Sequence, residues 1–281
     1  MTEVKHLKES QILTSNYPYY KYSLDYTLKS LQRMGAGPIE FYACYPHFHL
    51  DDVSYWDVKR ITKKLAAAGL NVVCFTPEQC MYPVNIAALD VNARKRSLDI
   101  FKKSIRYGAE MGAEFVVTLA GYGTLDEEES CAWRRSAESL GILGDMAESC
   151  GVKLVLETSP REYTTTHNSK DVVRMIHETG SPAVKGMIDT ATLGFSGETM
   201  EQAVEDLEGQ LAHVHVADGI PNGHLVLGEG RLDIQHMLKN LDDAAYKGPL
   251  SLEILNDKYI RTPHEAMETS FKRLKEYINN C

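Results

Sequence analysis

The chain has 281 residues, 43% hydrophobic and 25% charged, an ordinary globular balance with enough apolar mass for a sizeable core. Its 30 Lys plus Arg against 39 Asp plus Glu leave a formal net charge of -9, which repels phosphate backbones and argues against nucleic acid as a partner. No stretch approaches the roughly 18 consecutive apolar residues of a membrane helix, the start MTEVKHLKES lacks the apolar run of a signal peptide, and six scattered cysteines without a C-x-x-C pair fit reduced thiols, so a soluble cytoplasmic protein is expected.

A weak β-type run at residues 11–15 comes first, followed by a loop with Tyr17, Tyr19, Tyr20 and Tyr22 that suits a lid or a subunit contact. Leu24, Leu28 and Leu31 then recur at helical spacing. PIEFYA (Pro38–Ala43) reads as a strand, and Trp56, Ile61 and Leu65 as the next helical stripe, stopped by the glycine of AAAGL. NVVCF (71–75) is a strand, after which the basic cluster Arg94, Lys95 and Arg96 falls on a helical pattern as a solvated face. Strands follow at EFVVTL (114–119), KLVL (Lys153–Leu156), VKGMI (184–188), AHVHV (212–216) and LSLEI (250–254). Between them run the helical stripes of Trp133, Leu140, Leu143 and Met146, and of Val172, Val173 and Ile176, the former closed by the glycine of AESCGV.

Strands alternating with helices imply parallel pairing through crossovers. About eight such units in this length predict an α/β fold, a single (β/α)₈ barrel over residues 1–281. A doubly wound open sheet is the alternative, but no G-x-G-x-x-G follows an early strand, and GYG at 121–123 lacks the spacing.

In such a barrel the C-terminal strand ends form the active face. Strand five ends in Glu157, strand six in Asp189, strand seven carries His213 and His215, and strand eight carries Glu253. Residues two apart share a face, so His213 and His215 point together, and Glu253 faces the axis if Leu252 and Ile254 face the helices. A single carboxylate at a strand end is ordinarily a cap or a solvated loop residue. Three of them beside an imidazole on four successive strands repel one another unless protons or a cation compensate. That oxygen-rich set suits Mn²⁺, Mg²⁺ or Co²⁺ with open positions for substrate oxygens, whereas structural zinc would call for cysteines. A cation of this kind stabilises an enediolate, and two glutamates about the same carbon can remove and return its proton. Epimerisation and aldose–ketose isomerisation are both open to these residue types.

The motifs L-E (156–157), M-I-D-T (187–190), H-V-H (213–215), G-E-G (228–230) and L-E (252–253), with TPEQCMYPVN (76–85), resemble the xylose-isomerase-like barrel family of sugar isomerases and epimerases. The similarity is greatest to its psicose, tagatose and fructoselysine 3-epimerase branches. It implies Glu157, Asp189, His215 and Glu253 as ligands of a divalent metal, Mn²⁺ first and Co²⁺, Mg²⁺ or Ni²⁺ as alternatives. It also implies Glu157 and Glu253 as the acid/base pair acting at carbon 3 of a ketose or ketosamine. Candidate substrate contacts are Glu162, His224, Glu78 and His213, and Tyr82, Tyr122 and Trp133 are aromatics placed to line a sugar pocket. The family further suggests dimers or tetramers.

Three positions depart from the ketohexose epimerases. Tyr163 replaces a substrate-binding glutamate (Glu162 is one residue short), Thr192 a histidine, and Pro221 an arginine. A substituted ketose such as a fructosamine therefore fits better than a free ketohexose. The competing readings are a hydroxypyruvate- or xylose-type isomerase, an inosose dehydratase, a DNA-repair endonuclease, which the acidic charge opposes, and a catalytically silent sugar binder, which the complete ligand set opposes.

Overall fold

Eight parallel strands close into a barrel in chain order: β1 (Ile12–Ser15), β2 (Pro38–Ala43), β3 (Asn71–Pro77), β4 (Phe115–Thr118), β5 (Lys153–Leu156), β6 (Val184–Asp189), β7 (Leu211–Val216) and β8 (Leu250–Leu252). β8 pairs back onto β1 through Ile12↔Leu250 and Leu13↔Ser251. The computed structural model describes residues 5–160, 163–220 and 223–280. The (β/α)₈ barrel expected from the alternation is thus present, and the weak first run is a full member of it.

Parallel neighbours need long crossovers, so the connections run outside and their helices sheathe the barrel, among them Tyr55–Ala67, Val91–Met111 and Glu129–Cys150. Several helix starts carry side-chain caps. Ser54 and Asp57 exchange bonds in a capping box, and Asp90 accepts from Ala93 N–H at 2.8 Å. The expected glycine stops are in place, with φ of 76° at Gly69 and 72° at Gly151. One helical stripe differs from expectation. Val58, Ile61 and Leu65 form the buried face of Tyr55–Ala67, while Trp56 is 75% exposed. At 3.6 residues per turn Trp56 lies about 140° round the helix from Ile61, off that face. Among the described residues no helix is long and apolar enough to cross a membrane, and the described cysteines are free thiols.

Strand alternation sorts the core into two parts. Outward residues such as Ile39, Phe41, Leu156, Val214 and Leu252 pack beneath the helices. Inward Leu13, Cys74, Phe115, Val117, Val155 and Met187 fill the barrel as a separate apolar plug. Each inward position further along a strand then rises one layer toward the mouth, which puts Glu157 above Val155 and Asp189 above Met187.

The tyrosine-rich loop is part of this mouth. Tyr17 and Tyr19 are buried, the Tyr20 hydroxyl donates to Asp257 at 2.6 Å, and the Tyr22 hydroxyl donates to the Ile260 carbonyl at 2.9 Å. Asn16 fastens β1 to β2: its Oδ1 accepts from Tyr42 N–H at 2.7 Å and its Nδ2 donates to Tyr42 O at 2.8 Å. That fixes the amide so that Nδ2 also donates to His47 Nδ1 at 2.9 Å, leaving His47 Nε2–H for the Tyr22 carbonyl at 3.0 Å. His47 is buried and both ring nitrogens are engaged as a neutral imidazole. Burial accordingly lowers its pKa from 6.5 to about 4. The unfolded chain binds this proton first, so stability is whole above about pH 6.5 and declines as pH falls toward 4. Chemical denaturation should show a loss of about 2 kcal/mol between pH 7 and pH 5 from this group, a loss missing in His47→Gln.

Candidate metal and catalytic centre

The register of the last four strands assembles the centre. Asp189 is the last residue of β6 and pairs with His215 on β7, and His215 pairs with Ser251 on β8, two residues before Glu253. Glu157 directly follows β5. His215 Nδ1 lies 3.2 Å from Glu157 Oε1 and 2.7 Å from Glu253 Oε2. The close Glu253 contact lacks the alignment of a hydrogen bond, so both atoms are buried without a hydrogen-bond partner. On the adjoining side His224 Nε2 stands 3.1 Å from Asp189 Oδ2 and 3.3 Å from Glu253 Oε2. Glu253 is common to both groups, and within each group the ligand atoms lie within 4.8 Å of one another. The four candidate ligands and His224, read from sequence, are thus brought together.

Glu40 was not foreseen. It lies on β2, fully buried one layer below, where its carboxylate meets His213 Nε2 at 2.8 Å and His215 Nε2 at 2.9 Å. The Tyr17 and Thr76 hydroxyls donate to it at 2.9 and 2.6 Å. When the His215 ring is neutral its one proton is thereby directed to Nε2, which leaves the Nδ1 lone pair for the carboxylate side, the orientation a metal-binding imidazole needs. His213 belongs to this lower layer, 0% exposed and out of a substrate's reach.

The other sequence candidates separate. Glu78 lines the cavity but its carboxylate is already engaged, by the Tyr42 hydroxyl and by the N–H groups of Cys80 and Met81 at 2.5 Å each. Glu162 and Pro221 lie outside the described residues. Trp133 is no pocket residue: it is buried in the helix Glu129–Cys150 and donates to Glu178 at 2.6 Å. Thr192 meets Thr158 at 3.1 Å, and Asp189 Oδ1 accepts from Ala191 N–H at 2.9 Å. A cavity of about 240 Å³ opens beside the centre, lined by Tyr17, Tyr42, Leu119, Glu157, Glu253 and Asp257 among others.

Electrostatics set the two glutamates apart. Burial pushes Glu157 up to about 7, with His215 opposing it. Burial acts on Glu253 in the same sense, but His224 and His215 outweigh it and hold Glu253 down to about 2. For His215 and His224 burial disfavours the charge, yet the surrounding carboxylates prevail and raise both well above 6.5. The donor set fits a hard divalent cation, with three carboxylates and the His215 Nδ1, and two of these donor atoms, His215 Nδ1 and Glu253 Oε2, are buried without a hydrogen-bond partner.

The xylose isomerase-like TIM-barrel pattern matches residues 28–277. The chain belongs to this family. Within it, the chain is 25% identical over 258 residues to the fructoselysine 3-epimerase of Shigella flexneri, covering 91% of this chain and 93% of that protein. It is 28% identical over 178 residues to an inosose dehydratase of Clostridium perfringens, covering 57% and 58%. The structure of an L-ribulose 3-epimerase superposes with a TM-score of 0.80 over 95% of this chain and 94% of the other at 20% identity, which shows a shared fold.

Two outcomes follow for a divalent cation titrated into the protein. Calorimetry in buffers of different ionisation enthalpy should register protons released on binding, because His215 must surrender its Nδ1 proton, and affinity should fall as pH is lowered. Glu40→Gln should weaken binding by about 10- to 100-fold, since the imidazole loses its orienting carboxylate.

Proposed function

We propose that the protein is a divalent-metal-dependent isomerase that epimerises a ketose or ketosamine at carbon 3. The observation that carries this reading is the pair Glu157 and Glu253. They approach one imidazole from two strands and differ in proton affinity, one near 7 and one near 2. Groups held apart in this way suit opposite proton-transfer roles. Glu253, ionised, takes the proton from carbon 3, and Glu157 delivers one to the opposite face; the roles exchange for the reverse direction. Glu157, Asp189, His215 and Glu253 would hold the cation, which supplies Lewis-acid stabilisation of the negative charge developing on neighbouring substrate oxygens. Mn²⁺ is the cation we favour for this oxygen-rich set.

The 3-epimerase activity named for relatives that align along nearly the whole chain supports the same reaction. The test is solvent exchange. Protein with Mn²⁺ is incubated in D₂O with fructose, psicose or fructoselysine, the metal is chelated, and carbon-bound protons are read by NMR. Deuterium should appear at carbon 3. Deuterium at carbon 1 would instead mean aldose–ketose isomerisation, and dehydration without exchange would favour the chemistry named for the inosose dehydratase relatives. Glu253→Gln should cut turnover by about 10²- to 10⁴-fold with an unchanged melting profile. Full activity in that variant would sink the two-glutamate scheme.

A further inference from the structure

The cavity at the centre has a neighbour. A second hollow of about 160 Å³ adjoins it and shares Gln79, Cys80 and Leu119 as lining residues. Gln79 Oε1 accepts from Leu119 N–H at 2.8 Å, which ties the ends of β3 and β4 together where the two spaces meet. The outer walls of the second hollow include Tyr82, Tyr122 and Tyr163. Nothing in the epimerisation scheme uses it.

Its aromatic wall is fastened in place. Asn85 Oδ1 accepts from Ala87 N–H at 2.9 Å and Tyr122 N–H at 3.1 Å, while its Nδ2 donates to Tyr122 O at 2.8 Å. Gly121 permits that clasp: it takes φ 78°, and a Cβ there would stand 2.5 Å from Asn85 Oδ1 and 2.7 Å from Ala87 N. Tyr122 is thus held by its backbone although it is 42% exposed. The Tyr82 hydroxyl accepts from Tyr45 N–H at 3.1 Å, which anchors a second ring. Exposed rings on a fixed frame lose little freedom when a ligand arrives.

Charge decides what kind of ligand suits them. The lining contains no Asp, Glu, Lys, Arg or His among the described residues, and the Glu78 carboxylate behind it accepts the N–H of the lining residue Cys80. A carboxylate entering here would shed water without gaining an opposite charge among the described residues. A sugar ring carries C–H groups on its faces for tyrosine and hydroxyls at its edge for polar partners. Tyr163 contributes to this wall at the position where the ketohexose epimerases, by resemblance, carry a glutamate.

We propose that the second hollow is a subsite for an uncharged cyclic substituent, a second sugar ring, so that the substrate is a glycosylated ketose rather than a free ketose or one joined to an amino acid. This rests on the ketose-epimerase reading for the reacting end only. The test uses Mg²⁺-loaded protein and saturation-transfer NMR titrations with fructose, isomaltulose, lactulose and fructoselysine. One of the two disaccharides should bind at least ten-fold tighter than fructose and than fructoselysine. Tyr122→Ala and Tyr163→Ala should each lower the disaccharide-to-fructose affinity ratio at least five-fold, with melting temperatures within a few degrees of the parent. Tightest binding of fructoselysine, or ratios unmoved in both variants, would overturn the proposal. Deuterium exchange at carbon 3 is scored on the same sugars. Disaccharide preference without exchange would uphold the subsite and remove the epimerase reading, whereas exchange without preference would do the reverse.

Discussion

Three carboxylates and two imidazoles crowd the barrel mouth in two groups that share Glu253, and the surrounding architecture answers to that concentration of charge. Carboxylates removed from water repel strongly unless protons or cations intervene. Here the compensation comes from two sides, from His215 rising off the floor and His224 reaching in from the loop after β7. The loop carrying His224 is held at a positive φ of 46°, with its carbonyl accepting Leu255 N–H at 3.2 Å and Asn256 donating to Gly223 O at 2.8 Å. A non-glycine residue in that conformation marks a backbone over-determined by its neighbours.

Beneath the mouth the barrel interior is graded. The apolar plug excludes water from the lower half, and the buried Glu40 sits between plug and mouth, bonded to groups from the Tyr17 turn, β3 and β7. A buried carboxylate is costly unless its oxygens are satisfied, and Glu40 meets four partners. Because two of them are His213 and His215, the deep layer orients the imidazole that the upper layer exposes.

Much of this was legible from spacing. The period of two along β5, β7 and β8, with Leu156, Val214 and Ile254 committed to the outer core, left Glu157, His215 and Glu253 no direction but inward. Glu40 obeys the same rule between outward Ile39 and Phe41, but it stands in the middle of the run PIEFYA and not at a C-terminal strand end, where the active face lies. Trp56 was misplaced because an apolar residue near a helix start was assigned to a stripe on spacing too loose for 3.6 residues per turn. The engagement of Glu78 by Tyr42 and the clasp between Asn85 and Tyr122 join different strand-end loops, and no local pattern announces contacts of that sort.

The four bonds that Glu40 makes, to Tyr17, Thr76, His213 and His215, are drawn entirely from the chain. The frame behind the ligands is therefore set by folding, and a cation entering or leaving would remake only the topmost contacts. A cation held there would sit in an exchangeable socket. Which divalent ion occupied it would then follow from supply: affinities among these metals differ in a fixed order, and a carboxylate-rich site does little to reverse it. The ion bound in a given cell would report the metal economy of that compartment as much as the design of the protein.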